Sequence, residues 1–388
     1  MLSLQKHLFS LPEEVTYLNC AYMSPLLKSV EAAGIAGLRR KAQPFDIVPS
    51  EFFAGVEELK KLFAQLIGAT EPQRTVIVPS VSYGLANAAR NAPVRRGQNI
   101  VVTAEQFPSN VYTWQRIADE RGAEIRTVSP PAASAQRGKI WNERLAAAID
   151  DTTAVVAVPQ VHWADGTLFD LEKLSEKVHA VGGLLITDGT QSVGALPFDT
   201  TKIKPDALVC GGYKWLLGGY SFGLAYYGAA FDNGTPIEEN WMNRLHSENF
   251  SALVNYQPAY KPFAQRYAVG EQSQFVNTPM AVTALRQITE WTTEGIQEYC
   301  AALTAEPIAQ LRAAGCTIED AAYRGSHLFG VRLPEHTDTE MLKARFAEQK
   351  IIVSFRGNAL RISPHLYNDE QDFARLTDCI SEAAYAHN

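Results

Sequence analysis

The chain has 388 residues, of which 46% are hydrophobic and 20% charged, so it can bury a large core, is not a disordered protein, and is long enough for two or three domains. Its 35 basic and 42 acidic residues leave a net charge of -7, with no basic run longer than Arg39-Arg40-Lys41, which excludes a nucleic-acid footprint. No apolar run has signal-peptide or membrane-spanning length, and the expectation is a cytoplasmic protein without a membrane partner.

Short β-rich runs alternate with helix-length stretches, the pattern that builds a mostly parallel sheet covered by helices. Strands are expected at 75–78, 99–103, 124–128, 154–158, 184–188, 207–210 and 223–227, several of them continuous apolar runs suited to burial on both faces. Helices are expected at 112–121, 142–149 and 171–181, with Asn142 and Asp170 as N-caps. The turn between the last two strands is too short for a crossover helix, so 223–227 is expected to run antiparallel. After about residue 230 the pattern loosens through Asp232-Asn233-Gly234-Thr235-Pro236 and a stretch holding Pro258 and Pro262, a passage to a second domain. A helix is expected at 279–294, followed by a small α+β arrangement with strands at 352–355 and 360–363 and a last helix from about Asp369.

The chemistry is concentrated in two segments. In Cys210-Gly211-Gly212-Tyr213-Lys214-Trp215-Leu216-Leu217-Gly218-Gly219 a lysine is hemmed in by glycines, aromatics and leucines, which costs its ammonium hydration and frees the amine to form a Schiff base with an aldehyde. Upstream, Ile186-Thr187-Asp188-Gly189-Thr190-Gln191-Ser192 puts an aspartate at the end of an apolar strand, where it can keep a pyridine nitrogen protonated. Together the two suggest pyridoxal phosphate (PLP). Val78-Pro79-Ser80-Val81-Ser82-Tyr83-Gly84 ends a strand and opens an alanine-rich helix, whose free amides and serine hydroxyls suit a phosphate dianion. Phe107, just past another strand end, can lie flat on a heteroaromatic ring. The five cysteines (Cys20, Cys210, Cys300, Cys316, Cys379) are odd in number and lack a Cys-x-x-Cys pair, and the eight histidines are scattered, so neither a disulfide framework nor a metal site is expected.

In this order the segments resemble the class V aminotransferase family of PLP enzymes, the group of cysteine desulfurases, selenocysteine lyases, kynureninases and isopenicillin N epimerase-like proteins. The resemblance runs from Tyr17-Leu18-Asn19-Cys20-Ala21 to Arg361-Ile362-Ser363-Pro364-His365-Leu366-Tyr367-Asn368. It implies the PLP-dependent transferase fold (fold type I): a seven-stranded, mostly parallel sheet in a large domain at 21–262, a small α+β C-terminal domain at 263–388, and an N-terminal arm at 1–20 that joins the small domain. It also implies roles. Lys214 matches the Schiff-base lysine and proton shuttle, Asp188 the partner of the pyridine nitrogen, Gln191 the partner of the phenolic oxygen, and Thr190 and Phe107 the two ring faces. Val81 and Ser82 match the phosphate-binding pair, and Tyr213 the phosphate-binding tyrosine of kynureninases. His162, in Val161-His162-Trp163-Ala164-Asp165-Gly166, lies where the family keeps a polar residue near the phenolic oxygen, with Trp163 as a sharer of that role. Thr278 matches a threonine that reaches the phosphate of the neighbouring subunit, which implies a homodimer with shared active sites. Arg361 matches the arginine that pairs with the substrate α-carboxylate, a task suited to a planar guanidinium.

The departures bear on the reaction. Desulfurases carry a mobile cysteine shortly before that arginine, whereas 351–360 contains none and Cys316 lies far upstream; the His-Ser pair of kynureninases is also missing after Asp188. The implied activity is on the α-amino group and Cα of a small amino acid, through a Schiff base with the substrate's own amine. Aminotransferase and Cβ-lyase types come first, and epimerisation is the alternative. Candidates for the substrate pocket are His162, Tyr220, Arg266 and His365. Two rivals remain: a serine hydrolase at Ser221, from the Gly-x-Ser-x-Gly pattern of 219–223, and a PLP-fold binding module without chemistry.

Overall fold

Val155, Val156, Ala157 and Val158 offer no polar face to water, so their strand must be covered on both sides, and the architecture follows from that requirement. The computed structural model describes residues 2–134, 136–356 and 359–385. In chain order its strands are β1 (Thr16–Tyr17), β2 (Thr75–Val78), β3 (Asn99–Thr103), β4 (Glu124–Val128), β5 (Thr153–Pro159), β6 (Leu184–Asp188), β7 (Ala207–Gly211), β8 (Gly223–Tyr227), β9 (Phe329–Arg332), β10 (Ile351–Ile352), β11 (Ser354–Arg356) and β12 (Ala359–Ile362). Its helices are α1 (Lys28–Arg40), α2 (Glu51–Leu66), α3 (Val81–Asn91), α4 (Ser109–Arg121), α5 (Arg137–Ala147), α6 (Leu171–Ala180), α7 (Thr200–Ile203), α8 (Asn277–Trp291), α9 (Thr293–Ala313), α10 (Thr339–Glu348) and α11 (Glu370–Tyr385).

Seven strands form one sheet in the order β2-β8-β7-β6-β5-β3-β4, parallel except for β8, which runs antiparallel to both of its neighbours. This is the expected α/β fold, with the antiparallel strand where the short connection requires it. Side chains of β5 alternate between two cores. Val156 and Val158 join Leu59, Phe63, Trp141 and Trp215 on one face, and Val155 and Ala157 join Leu85, Trp114 and Tyr227 on the other. Each large apolar side chain fully removed from water contributes about 1.5–3 kcal/mol before the cost of ordering it, which makes these two layers the main source of stability.

A third core gathers Ile308, Phe329, Leu342, Leu360 and Phe373 around the antiparallel sheet β11-β12-β9, and Leu18 from the N-terminal arm is buried in it. The arm is fixed there by β1, which pairs in parallel with β10, and by Ser363 N–H donating to the Leu18 carbonyl at 2.9 Å. Helix α8 packs instead on α1 and α2, and its Leu285, Ile288 and Trp291 belong to the first core.

Two local expectations need correction. Asn142 does not cap a helix; it lies inside α5, and its amide donates to the Gly138 and Leu168 carbonyls. The helix expected over 279–294 breaks at Thr292, whose φ of 61° ends α8 while its hydroxyl accepts from Gly295 N–H to start α9. Asp170 caps α6 as expected, accepting from Lys173 N–H at 3.1 Å. Among the described residues no helix is long and apolar enough to cross a membrane.

Candidate active site

The parallel strands end on one side of the sheet, the place where open α/β sheets bind ligands. A cavity of about 270 Å³ lies there, and Asp188, Lys214, Gln191 and Phe107 all line it.

Lys214 sits in a loop that the sequence closes tightly. Gly212 donates its N–H to Phe222 O at 2.8 Å and accepts from Gly218 N–H at 2.8 Å. A Cβ at Gly212 would lie 2.8 Å from that same Phe222 oxygen, so the loop tolerates no side chain there. Leu217 and Ser221 adopt positive φ of 53° and 59°, a strained backbone held by the burial of Trp215, Leu216 and Leu217. Lys214 is 7% exposed, with its Nζ 5.5 Å from the Tyr213 ring and 5.7 Å from the Phe107 ring. Burial pushes its amine down to about 8, the positive charge of Arg361 pushes the same way, and Asp188 opposes both.

Asp188 ends β6, buried, and accepts from Thr190 N–H at 2.9 Å. Burial raises its carboxyl above the usual range against that hydrogen bond and the charge of Lys214. Thr190 in turn accepts from Gly211 N–H at 3.1 Å, which ties the aspartate turn to the lysine strand. Gln191 donates from Nε2 to Ala21 O at 3.0 Å and accepts at Oε1 from the Trp215 indole at 2.9 Å. Among the described residues its second Nε2 hydrogen has no such partner, and Gln191 is part of the cavity wall.

Val81 and Ser82 open α3 beneath the same cavity. Ser80 caps the helix, its hydroxyl accepting from Tyr83 N–H at 3.2 Å and lying 3.0 Å from the Ser82 hydroxyl. The first two amides of the helix have no intrahelical acceptor and stay available to an anion. Tyr213, Tyr220 and Phe107 complete the wall, with the Tyr213 and Tyr220 rings 4.6 Å apart.

Five expected residues are not in the cavity wall: His162, His365, Arg266, Thr278 and Arg361. His162 is fully buried against Trp141, at 5.0 Å between rings, with Nδ1 3.4 Å from Asp165 Oδ1. The chain turns after His162, and it is Trp163 that enters the site, its ring edge-on to Phe107 at 5.6 Å. His365 is buried behind the site beside Trp215 and Tyr367, and Arg266 donates to Gly234 O away from it. Thr278, near the start of α8, faces a separate groove with Gly37, Gly55 and Phe275. Ser221 lines the cavity but precedes β8, the reverse of the strand-serine-helix order that a hydrolase nucleophile requires.

Arg361, on β12, is 1% exposed, donates from Nη1 to Trp163 O at 2.9 Å, and has no ion pair among the described residues. Burial, then the nearby charge of Arg356, push its guanidinium down to about 9. A buried cation without a counter-ion is costly and is retained where an anion will arrive.

A depressed-pKa lysine, a buried carboxylate, a helix N-terminus with two hydroxyls and flat aromatic walls around one cavity fit PLP, and with the sheet order they define a PLP-dependent enzyme of the fold-type-I class. The comparisons agree. Residues 48–242 match the family Aminotransferase class-V, and the chain belongs to that family. It is 27% identical over 320 residues to an uncharacterized aminotransferase, YcbU, of Bacillus subtilis, covering 82% of this chain and 81% of the relative. It is 24% identical over 387 residues to isopenicillin N epimerase of Amycolatopsis lactamdurans, covering 96% of each. In fold it is similar to the apo cysteine desulfurase of Thermococcus onnurineus, with a TM-score of 0.84, 17% identity, and coverage of 100% of this chain and 99% of that one. The protein is thus a PLP-dependent enzyme acting on an amino acid.

Proposed function

We propose that the chain works on the Cα–H bond of a small amino acid with Lys214 as its single base, as an aminotransferase or a Cβ-lyase. The observation that carries this reading is the composition of the cavity wall. Lys214 is its one amine, and the facing aromatics Phe107 and Trp163 bear no group that exchanges protons near neutral pH. An epimerase working with two bases needs a second proton donor across from the first, and Phe107 and Trp163 do not supply one, which favours the one-base reactions.

Bound PLP supplies an electron sink for the charge left when Cα loses its proton. Asp188 is the group to hold the ring nitrogen, Gln191 Nε2 the phenolic oxygen, and Thr190 and Phe107 the ring faces. Val81 N–H, the Ser82 hydroxyl and Tyr213 are the group for the phosphate. Arg361 orients the α-carboxylate by paired N–H···O bonds, which sets the Cα–H toward the Lys214 amine. Lys214 accepts that proton and returns it, and its depressed pKa keeps a useful fraction of free amine near neutral pH.

A persulfide-forming route is disfavoured for this chain. All five cysteines are buried, and burial pushes the thiols up, to about 12 at Cys20 and about 11 at Cys316, whereas a persulfide nucleophile needs an accessible thiolate. The same five free thiols suit a reducing compartment, and we place the enzyme in the cytoplasm.

We also read the chain as an N-terminal arm, a large unit and a smaller C-terminal unit, and as a homodimer in which Thr278 serves the neighbouring site. Near its groove Ile35, Leu38, Phe45 and Val48 are exposed, Phe45 at 81%, which favours cover by a second copy.

The test is incubation of the holoenzyme with single amino acids in deuterated water. Retained configuration, with deuterium at Cα and a keto acid product, is the expected result. Accumulation of the opposite enantiomer would sink the one-base reading.

A further inference from the structure

Arg356 stands beside Arg361, and among the described residues no acid pairs with it. In the β11–β12 hairpin Ser354 pairs with Arg361 and Arg356 with Ala359, so by the alternation of strands both arginines leave the same face. Both also touch one residue of the cavity wall. Arg361 donates to the Trp163 carbonyl at 2.9 Å, and the Arg356 guanidinium carbon lies 5.4 Å from the centre of the Trp163 ring.

Stacking over a ring occupies the flat face of a guanidinium and leaves its N–H donors free in the plane. Of those donors Arg356 uses Nη1, to the Phe355 carbonyl at 2.8 Å, while its Nε is buried without a partner. No ion pair to Arg356 or Arg361 occurs among the described residues, and Asp188 is the carboxylate of the cavity wall. The charge of Arg356 is felt at both Lys214 and Arg361, and Trp163, which both arginines touch, is part of the cavity wall that holds Lys214. The α-carboxylate of a substrate answers Arg361. It leaves Arg356, half-buried and fork-shaped, unanswered on the same face and over the Trp163 ring.

We propose that Arg356 is a specificity-determining residue that selects amino acids carrying a second anionic group, a carboxylate or a sulfur oxyanion of the same charge, on the side chain. The proposal rests on the assignment of the α-carboxylate to Arg361. It makes the substrate class acidic amino acids rather than small neutral ones.

Glutarate and its monoamide test this, because they match a diacid and a neutral side chain and have no amine to react. Their dissociation constants for the cofactor-loaded enzyme can be read by calorimetry, with the visible cofactor band recorded for each protein as a check on loading. The wild type is expected to bind glutarate at least about tenfold tighter than the monoamide, the worth of one charged hydrogen-bonded pair. In Arg356→Gln that ratio falls to near one, and in Arg356→Lys it falls only in part. Equal binding of the two ligands by the wild type, or a ratio unchanged in Arg356→Gln, overturns the proposal. Arg361→Lys separates the two assignments: it is expected to weaken both ligands. If it weakens them while the wild type shows no preference, only the Arg356 proposal falls. If it leaves both affinities unchanged, the Arg361 assignment falls and takes the proposal with it.

Discussion

The Trp215 indole donates to the side-chain carbonyl of Gln191 at 2.9 Å, and that bond decides which end of the amide is available to the cavity. With Oε1 held by the indole and Nε2 directed to Ala21 O, the group left over is an N–H donor. A donor suits an oxygen that carries negative charge; a flipped amide would offer a carbonyl and repel it. Trp215 thus sets what Gln191 presents to the cavity without lining the cavity itself.

Trp215→Phe keeps the apolar volume and removes the N–H, leaving Gln191 Oε1 buried without a donor. We expect a loss of about 1–3 kcal/mol in stability from that orphaned group, together with a shifted visible band as the amide loses its fixed orientation. Denaturant unfolding and an absorbance spectrum measure the two. A variant with wild-type stability and an unmoved band would show that the amide orientation is set by something else.

The amine of Lys214, pushed down to about 8, makes a prediction about pH. Below about pH 8 the ammonium dominates and above it the free amine does, and only the free amine attacks an aldehyde. The rate at which cofactor-free enzyme captures added PLP should therefore rise through about pH 8 and level off. An ordinary lysine, with its pKa near 10.4, would still be gaining rate at pH 10. Stopped-flow absorbance across pH 6 to 10 reads the midpoint, and Lys214→Ala should show no borohydride-reducible bond at any pH. A midpoint near 10 would mean that the cavity does not desolvate this amine.

Much of this is legible in the chain itself. The strands could be read because their apolar runs are continuous and their ends carry the chemistry: Asp188 ends β6, Thr190 and Gln191 come just after it, and Lys214 follows β7. What was not legible is direction. His162 and Trp163 are neighbours in sequence, yet one faces the Trp141 core and the other the cavity, and sequence does not say which way the turn faces. Arg356 was missed for a related reason: an arginine near the end of a short strand reads as solvated until its neighbour Trp163, far away in the chain, is placed beneath it. Helix α8 reads as part of the C-terminal unit because it follows the loose stretch, but its apolar face was made for α1 and α2.

Asp188 is expected to matter for turnover more than for folding. Burial already raises its carboxyl, so a neutral amide of the same shape is tolerated there, and Asp188→Asn should fold and retain cofactor. It cannot keep a ring nitrogen protonated. The expected loss is about 10²–10³-fold in kcat, the scale of one well-placed electrostatic contact in a dry site. Steady-state kinetics beside a cofactor titration decide it, and near wild-type turnover in the loaded variant would remove Asp188 from the role assigned to it.

Asp165 ties the loop that carries Trp163 to the C-terminal sheet, and it does so as a buried ion cluster. Its Oδ2 meets Arg137 at 2.5 Å and Arg332 of β9 at 3.0 Å, while Oδ1 accepts from the Thr167 hydroxyl at 2.9 Å. Burial alone would raise its carboxyl, but His162, Arg137 and Arg332 together hold it well below the usual carboxylate range. For an acid depressed on folding, the stabilisation is present above its unfolded pKa of about 4 and drains away as pH falls below that value. Asp165→Asn leaves two arginines short of a counter-ion and should cost about 3–5 kcal/mol at neutral pH. The gap between wild type and variant should narrow in acid, since the wild type loses there what the variant already lacks. Denaturant unfolding of both proteins at pH 7 and at pH 3 measures that gap; if it were equal at the two pH values, the cluster would hold the loop through shape rather than charge.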